Sequence, residues 1–337
     1  MKRQRMHWEN PETLAGQRLM LGFEGTRFNR DVEEIIDRFK AGGIILFRQN
    51  IESPDQVARL CSQAREFAAS LGLPPLFIAV DQEGGTVARL RAPFTEFPGN
   101  PFIRTEQEAE QFARITAQEL KGAGINMNLA PVMDVAPKGL DSIMKDRAFP
   151  GDAQRVSLLG CRVIKTLQEN GIMAVAKHFP GIGRTIKDSH HFLPVLDIDP
   201  ETLEEADIIP FAAAKKAGVS GIMLSHISYP RLDDQWQASL SPVIAGEMVR
   251  KGLGYSGLTL TDDLDMKAIS HDMETCVHQI LRAGIDLALI CHQGPNMEIA
   301  FNEMVRLLET DEKLYSAGRE SLDRIMAAKK KYLSELF

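Results

Sequence analysis

The residues best suited to chemistry in this sequence are an aspartate and a histidine in the segment 177–190, KHFPGIGRTIKDSH. In an extended backbone the side chains of Asp188 and His190 lie on the same face. A carboxylate beside an imidazole fixes the tautomer of the ring and stabilises its protonated form, so the pair is suited to general acid/base catalysis. A solvated surface loop is the alternative for such a pair alone, and the choice depends on the residues elsewhere in the chain.

Other ionisable residues follow short apolar runs that we interpret as strands. Such runs end at Val80-Asp81-Gln82-Glu83, near Asp134, at Lys177-His178, at Ser225-His226 and at Thr261-Asp262-Asp263. In a parallel α/β barrel the C-terminal ends of the strands form the active site. Five of eight candidate strands end in such groups, which predicts a polar pocket and favours the acid/base interpretation.

Asp262 and Asp263 have more than one interpretation from the residues alone. Either aspartate could cap the helix that follows the strand. Asp262 shares a strand face with Leu258 and Leu260, whereas Asp263 shares the other face with two threonines. If the apolar face meets the surrounding helices, alternation points Asp263 rather than Asp262 toward the interior.

The elements that must position these residues alternate along the whole chain. We predict strands at Leu19–Glu24, Gly43–Phe47, Leu76–Asp81, Asn126–Val132, Met173–His178, Gly221–Ser225, Leu258–Asp262 and Leu287–Cys291. We predict helices at Asp31–Lys40, Pro54–Leu71, Glu106–Gly122, Asp152–Asn170, Pro200–Ala217, Pro242–Lys251, Met273–Ala283 and Asn296–Leu308. Eight strand–helix units predict an α/β fold with a closed (β/α)8 barrel of the TIM type, and an open doubly wound sheet is the alternative. A C-terminal helix at Leu314–Tyr332 is expected outside the barrel, with residues 1–337 forming a single catalytic domain.

Composition and charge exclude several classes of partner. The net charge is −7 and no basic stripe is present, which argues against nucleic acid and anionic membranes. No run approaches the roughly 20 apolar residues of a membrane span, and the basic N-terminus lacks the apolar region of a secretory signal. The four cysteines form no Cys-x-x-Cys pair, so we expect reduced thiols in a cytoplasmic protein. No zinc or nucleotide motif is complete, so we expect neither a metal nor a cofactor.

Several motifs resemble those of the bacterial family-3 β-N-acetylglucosaminidases. They are KHFPGxG followed by DSH at 177–190, VDQEGG with Arg89, APVMD with the later Arg147-Ala148-Phe149, and SLSP with TDDLxM at 239–266. The similarity runs from about Leu19 to about Cys291, and the DSH element is absent from the related β-glucosidases. The sequence departs from the family pattern at Ile182, where histidine is usual, and at Thr86, where arginine is usual.

The resemblance implies a role for each matching residue. Asp262 is implied as the nucleophile, His190 as the acid/base and Asp188 as the partner that orients it. The residues implied to hold the sugar hydroxyls are Asp81, Arg89, Arg147, Lys177 and His178. The implied activity is retaining hydrolysis of terminal β-linked N-acetylglucosamine from small carbohydrate fragments of peptidoglycan turnover.

Two other activities stay open at this point. A histidine acid/base carries no negative charge that would repel phosphate, so a phosphorylase is an alternative to a hydrolase. A sugar-binding protein with a decayed site is a second alternative, although the complete set of polar residues argues against it.

Overall fold

The computed structural model describes residues 8–186 and 193–336. Eight parallel strands form a barrel, namely β1 Leu19–Leu21, β2 Gly43–Leu46, β3 Phe77–Val80, β4 Met127–Asn128, β5 Met173–Phe179, β6 Gly221–Leu224, β7 Leu258–Asp263 and β8 Leu287–Ile290. Each strand pairs with its neighbours in chain order, and β1 closes the ring on β8. The predicted closed barrel is confirmed, and the open sheet is excluded.

Helices occupy the crossovers between the strands, as predicted. The α-helices are α1 Pro11–Gln17, α2 Arg30–Asp37, α3 Pro54–Ser70, α4 Glu106–Gly122, α5 Ala153–Glu169, α6 Ile209–Lys216, α7 Met273–Arg282, α8 Pro295–Thr310 and α9 Glu312–Tyr332. A single helical turn at Pro200–Thr202 continues into a π-helix, Leu203–Asp207, and a second π-helix spans Val243–Gly252. We did not predict α1, because its seven residues are too few to show a clear helical period.

Apolar side chains pack on both faces of the barrel strands. Phe77, Leu258 and Leu260 belong to the core inside the barrel, whereas Ile44 and Ile78 pack between the strands and the helices. Successive strand residues point to opposite faces, so a strand buried on both faces is a continuous apolar run in the sequence. Because the interior is a packed core, a polar site can form only at an end of the barrel.

β4 is shorter than predicted because Pro131 interrupts its ladder. Regular pairing covers Met127–Asn128, and beyond it Val132 forms an isolated bridge with Lys177. Proline has no N–H to donate to a neighbouring strand. The chain nevertheless continues along β5, which brings Asp134 to the C-terminal end of the barrel.

Helix α9 lies outside the ring, as predicted, and covers the N-terminal end of the barrel. Ile325 packs in the interior core, and Lys329 lies over the ring of Phe77, 4.9 Å from its centroid. The Lys329 Nζ donates to Gln17 Oε1 at 2.6 Å. This end of the barrel is therefore closed by the chain's own C-terminal helix.

Within residues 8–186 and 193–336, none of the helices has both the length and the hydropathy required to cross a bilayer. The four cysteines are free thiols, three of them buried. Burial raises the pKa of the Cys61 thiol to about 12, which leaves it protonated and unreactive.

Candidate active site

A cavity of about 420 Å³ opens at the C-terminal end of the barrel. Its base consists of the last apolar side chains of the interior core, including Leu129, Met223 and Leu289. Six of the eight residues to which the family resemblance assigns a role line it: Asp81, Arg89, Arg147, Lys177, His178 and Asp262. The ends of several separate strands therefore meet in one cavity.

A chain of ion pairs forms one wall of this cavity. The Lys177 Nζ lies 2.7 Å from Asp81 Oδ1 and 2.7 Å from Glu83 Oε1. Arg147 donates to both oxygens of Glu83, from Nη2 at 2.7 Å and from Nε at 3.0 Å. Arg89 Nη2 donates to Asp81 Oδ2 at 3.3 Å. Glu83 thus links two cations, a position that its place in the VDQEGG motif did not reveal.

The buried charges of this wall stabilise one another. Burial raises the pKa of Glu83, but Lys177 and Arg147 lower it by more than burial raises it, and the resulting pKa is about 2. Burial lowers the pKa of Lys177, but Asp81 and Glu83 raise it above its ordinary value. Both groups are therefore ionised at neutral pH, and the wall presents fixed charges to the cavity.

His178 is oriented by the buried carboxylate of Asp134. Its Nδ1 lies 2.8 Å from Asp134 Oδ2, and because a carboxylate accepts, this nitrogen carries the proton. Its Nε2 lies 3.4 Å from Arg147 Nη2, and because a guanidinium only donates, Nε2 is an acceptor. Asp134 also accepts the N–H of Ile182 at 2.8 Å. We noted Asp134 as a strand-end residue but assigned it no role; its carboxylate selects the tautomer of His178.

Asp262 faces the barrel interior on the same strand face as Leu258 and Leu260. The expectation that this apolar face of β7 meets the helices was wrong, because the interior layers below the cavity are also apolar. Burial raises the pKa of Asp262, but nearby positive charge and the N–H of Asp263, which donates to its Oδ1 at 2.9 Å, lower it, and the net pKa is below its ordinary value. The carboxylate is therefore ionised at neutral pH, as a carboxylate nucleophile must be.

A bulge at the end of β7 turns Asp263 toward β8. Between Leu260 and Asp263, β7 contains one residue more than the strand it pairs with. The Asp263 carboxylate accepts the N–H of Asp265 at 3.0 Å and that of Cys291 at 3.1 Å. Burial raises the pKa of Asp263 to about 6, and the nearby charge of Asp265 raises it as well. Asp263 is therefore engaged by main-chain donors and is less fully ionised than its neighbour.

Asp263 and two neighbouring side chains have the spacing of a cation site. Ligand atoms of Asp263, Asp265 and His292 lie within 4.8 Å of one another. Asp265 already accepts from Asn296 Nδ2 at 2.7 Å and from the N–H of His292 at 2.9 Å. Sequence motifs did not predict this group, because His292 follows a different strand, 27 residues after Asp265.

The segment that carries Asp188 and His190 is anchored where it leaves β5. Arg184 Nε donates to the buried carboxylate of Asp207 at 2.7 Å. Asp188 and His190 themselves fall in 187–192, outside the described residues.

The two departures from the family pattern occupy different environments. Thr86 is exposed in the turn between two short strands, Gln82–Gly84 and Val87–Ala88. Ile182 is buried, and its side chain lines the cavity. The change at Ile182 therefore alters an apolar part of the cavity wall, and the change at Thr86 alters a surface turn.

A closed (β/α)8 barrel with buried carboxylates and cations at its C-terminal end has the architecture of a TIM-barrel enzyme. The chain belongs to glycosyl hydrolase family 3, whose N-terminal domain matches residues 12–333. The family indicated by the motifs is thus confirmed.

Known proteins resemble the chain over most of its length. The beta-hexosaminidase of Pseudomonas aeruginosa is 34% identical over 299 residues, which make up 87% of each protein. Beta-hexosaminidase A of Pseudoalteromonas piscicida is 34% identical over 82% of this chain and 53% of its own length. The family 3 β-N-acetylglucosaminidase structure from Paenibacillus sp. str. FPU-7 aligns with a TM-score of 0.90 and 33% identity, over 96% of this chain and 63% of that one. The chain therefore spans about half to two thirds of the latter two proteins.

Proposed function

We propose that the chain is a retaining exo-β-N-acetylglucosaminidase that releases terminal β-linked N-acetylglucosamine from peptidoglycan turnover fragments. The names of the similar proteins support the sugar, and the cavity of about 420 Å³ falls within the roughly 300–1,000 Å³ of small-molecule sites. The observation that carries the proposal is the ionised Asp262 carboxylate in a cavity lined by fixed charges.

In the first step the Asp262 carboxylate attacks the anomeric carbon, and the bond from that carbon to the glycosidic oxygen breaks. Protonated His190 gives its proton to the departing oxygen, and Asp188 stabilises the imidazolium beforehand. The products of this step are the free aglycone, a glycosyl ester on Asp262 and neutral His190. The bulge that turns Asp263 aside supports Asp262 as the nucleophile.

In the second step a water molecule attacks the same carbon and loses its proton to His190. The ester bond breaks and Asp262 leaves as a carboxylate, so the two inversions retain the β configuration. No metal or organic cofactor takes part in this scheme.

The charged wall of the cavity supports a role in holding the sugar hydroxyls. Arg89, Arg147 and Lys177 are donors, whereas Asp81 and the Nε2 of His178 are acceptors. Because Glu83 and Asp134 already fix several of these groups, little reorganisation accompanies binding.

We further propose that residues 1–337 act as one catalytic domain in the cytoplasm. The family match over 12–333 supports a single unit, and the four free cysteines fit a reducing compartment. Fractionation of cells that express the tagged chain tests the compartment.

A chromogenic β-N-acetylglucosaminide assayed beside the matching β-glucoside tests the activity. We expect cleavage of the first substrate, with the β-anomer of the free sugar formed first in proton NMR spectra. Equal cleavage of both sugars, or formation of the α-anomer first, would contradict the proposal.

The same assay separates the alternatives. Turnover that requires phosphate and yields the sugar 1-phosphate would identify a phosphorylase. Binding of N-acetylglucosamine without turnover would identify a sugar-binding protein.

A further inference from the structure

His226 is a buried residue that has no role in the scheme above. It follows β6, and its exposed fraction is 1%. Its Nδ1 lies 2.6 Å from Ser239 Oγ, and its Nε2 lies 2.8 Å from the main-chain oxygen of Asp263. A carbonyl oxygen only accepts, so Nε2 carries a proton, and the hydroxyl can donate to Nδ1. A neutral ring in one orientation satisfies both contacts.

The main-chain oxygen that His226 contacts belongs to the bulge of β7. Regular pairing with β8 is interrupted between Leu260 and Asp263, so β8 holds this backbone less regularly than a continuous ladder would. The same oxygen accepts the N–H of Met266 at 3.1 Å, a contact within the following turn. The hydrogen bond from His226, which follows β6, therefore holds the part of β7 that pairs irregularly with β8.

The direction of two adjacent carboxylates depends on this backbone. Both aspartates line the cavity, but the Asp263 carboxylate is engaged by the N–H of Cys291 at the end of β8. A small rotation of the bulge would exchange or misdirect these side chains, since consecutive strand residues point to opposite faces.

We propose that His226 is a positioning residue, which holds the bulge through the Asp263 carbonyl so that the Asp262 carboxylate faces the anomeric carbon. The inference rests on the proposed function, because it assigns the attack to Asp262. Burial raises the pKa of Asp262, and the N–H of Asp263, which lies 2.9 Å from Asp262 Oδ1, lowers it. Holding the bulge therefore aids both the direction and the ionisation of the nucleophile.

Two substitutions at His226 test its two hydrogen bonds separately, because each substitution can keep only one of them. The amide nitrogen of glutamine reaches as far as Nε2, so His226→Gln can keep the donor to the Asp263 carbonyl. The shorter amide of asparagine reaches only the position of Nδ1, so His226→Asn keeps the contact with Ser239 and loses the other. We expect His226→Asn to lower kcat on the order of 10²-fold, the scale of a misplaced reacting group, with little change in KM. We expect His226→Gln to retain most of kcat.

Thermal unfolding of both variants distinguishes positioning from general stability. The proposal requires that the loss in His226→Asn persist at temperatures where both variants are fully folded. Equal kcat values for the two variants, or a loss in kcat that follows the folded fraction, would overturn it.

A titration of the Asp262 carboxyl carbon by NMR, assigned with Asp262→Asn, tests the inference without turnover. Because the N–H of Asp263 donates to Asp262 Oδ1, a displaced bulge should move this midpoint to higher pH in His226→Asn, whereas His226→Gln should keep it near the wild-type value. Unchanged midpoints in both variants would overturn the inference. Wild-type protein that cleaves no glycoside would refute the proposed function, and this titration would still decide the role of His226.

Discussion

The two ends of the barrel both bury charged side chains, but only one end leaves them accessible. At the N-terminal end, Asp286 is fully buried and lies 2.6 Å from Arg250 and 2.9 Å from Arg324. It also accepts from the Ser321 hydroxyl at 2.7 Å. These partners come from α9 and from the crossover segments, and they satisfy the carboxylate completely.

At the C-terminal end, buried Glu83 is paired just as closely, yet its partners Arg147 and Lys177 also line an open cavity. A buried ion pair is therefore not in itself a sign of an active site. The distinction is whether the paired groups keep hydrogen-bonding capacity toward a space that a ligand can enter. In barrels of this kind the C-terminal face carries function and the N-terminal face carries stability.

The largest effect should come from Asp262→Asn. Loss of the nucleophile removes the glycosyl ester, so we expect kcat to fall on the order of 10³-fold or more while thermal stability changes little. Steady-state kinetics and thermal unfolding measure both quantities, and Asp263→Asn is the matched control. An inactive Asp263→Asn beside an active Asp262→Asn would show that the bulged residue is the nucleophile.

His190→Ala should affect substrates according to their leaving groups. General acid catalysis contributes about 10²–10⁴-fold, so we expect losses of that size for sugar aglycones and much smaller losses for good aryl leaving groups. Asp188→Asn should give an equal or milder loss, because the imidazole remains. Added azide should accelerate the second step in His190→Ala. Equal slowing of good and poor leaving groups without azide rescue would assign His190 to binding or loop structure.

Asp286→Asn should show the opposite pattern from Asp262→Asn. It leaves the buried cations of the N-terminal end without their carboxylate, and we expect the free energy of unfolding to fall by about 3–5 kcal/mol. The kcat of the protein that remains folded should be unchanged. Urea unfolding and an active-site titration measure the two quantities, and a large fall in kcat per folded molecule would contradict the separation of the two ends.

The smallest effect should be the pH dependence contributed by Glu83. Its pKa is lowered from 4.5 to about 2 in the folded protein, so its stabilising contribution is present above pH 4.5 and is lost as the pH falls toward 2. The full contribution is about 3 kcal/mol, of which part is lost between pH 5 and 3. Urea unfolding should show a steeper decline over this interval in the wild type than in Glu83→Gln. Parallel declines would show that Glu83 does not make this contribution.

The fold could be predicted almost completely from the sequence, because strands buried on both faces leave continuous apolar runs between amphipathic helices. The missed features are short, because the seven residues of α1 and the two residues of β4 before Pro131 are too few to show a periodic pattern. Both depend on packing that becomes definite only once the ring has closed.

The site could be predicted less completely, because its arrangement depends on contacts between distant strands. The motifs contain Glu83 and Asp134 but gave no role to either, although these carboxylates orient the groups that border the cavity. Alternation was applied to Asp262 and Asp263 with the wrong expectation that the apolar face of β7 meets the helices, whereas Leu258 and Leu260 pack inside the barrel. Asp263, Asp265 and His292 come together where the ends of two strands meet. Their spacing in the sequence does not indicate that they are close in the fold.

The contact of Lys329 with Gln17 has a consequence for synthesis on the ribosome. These residues are 312 positions apart, and at 5–20 residues per second the later one is added roughly 15–60 seconds after the earlier one. During that interval β1 has no β8 to pair with, and the apolar floor of the barrel is uncovered. For most of its translation the nascent chain therefore exposes an unpaired strand edge and apolar surface. A chaperone that binds unfolded chains would be of most use in this interval.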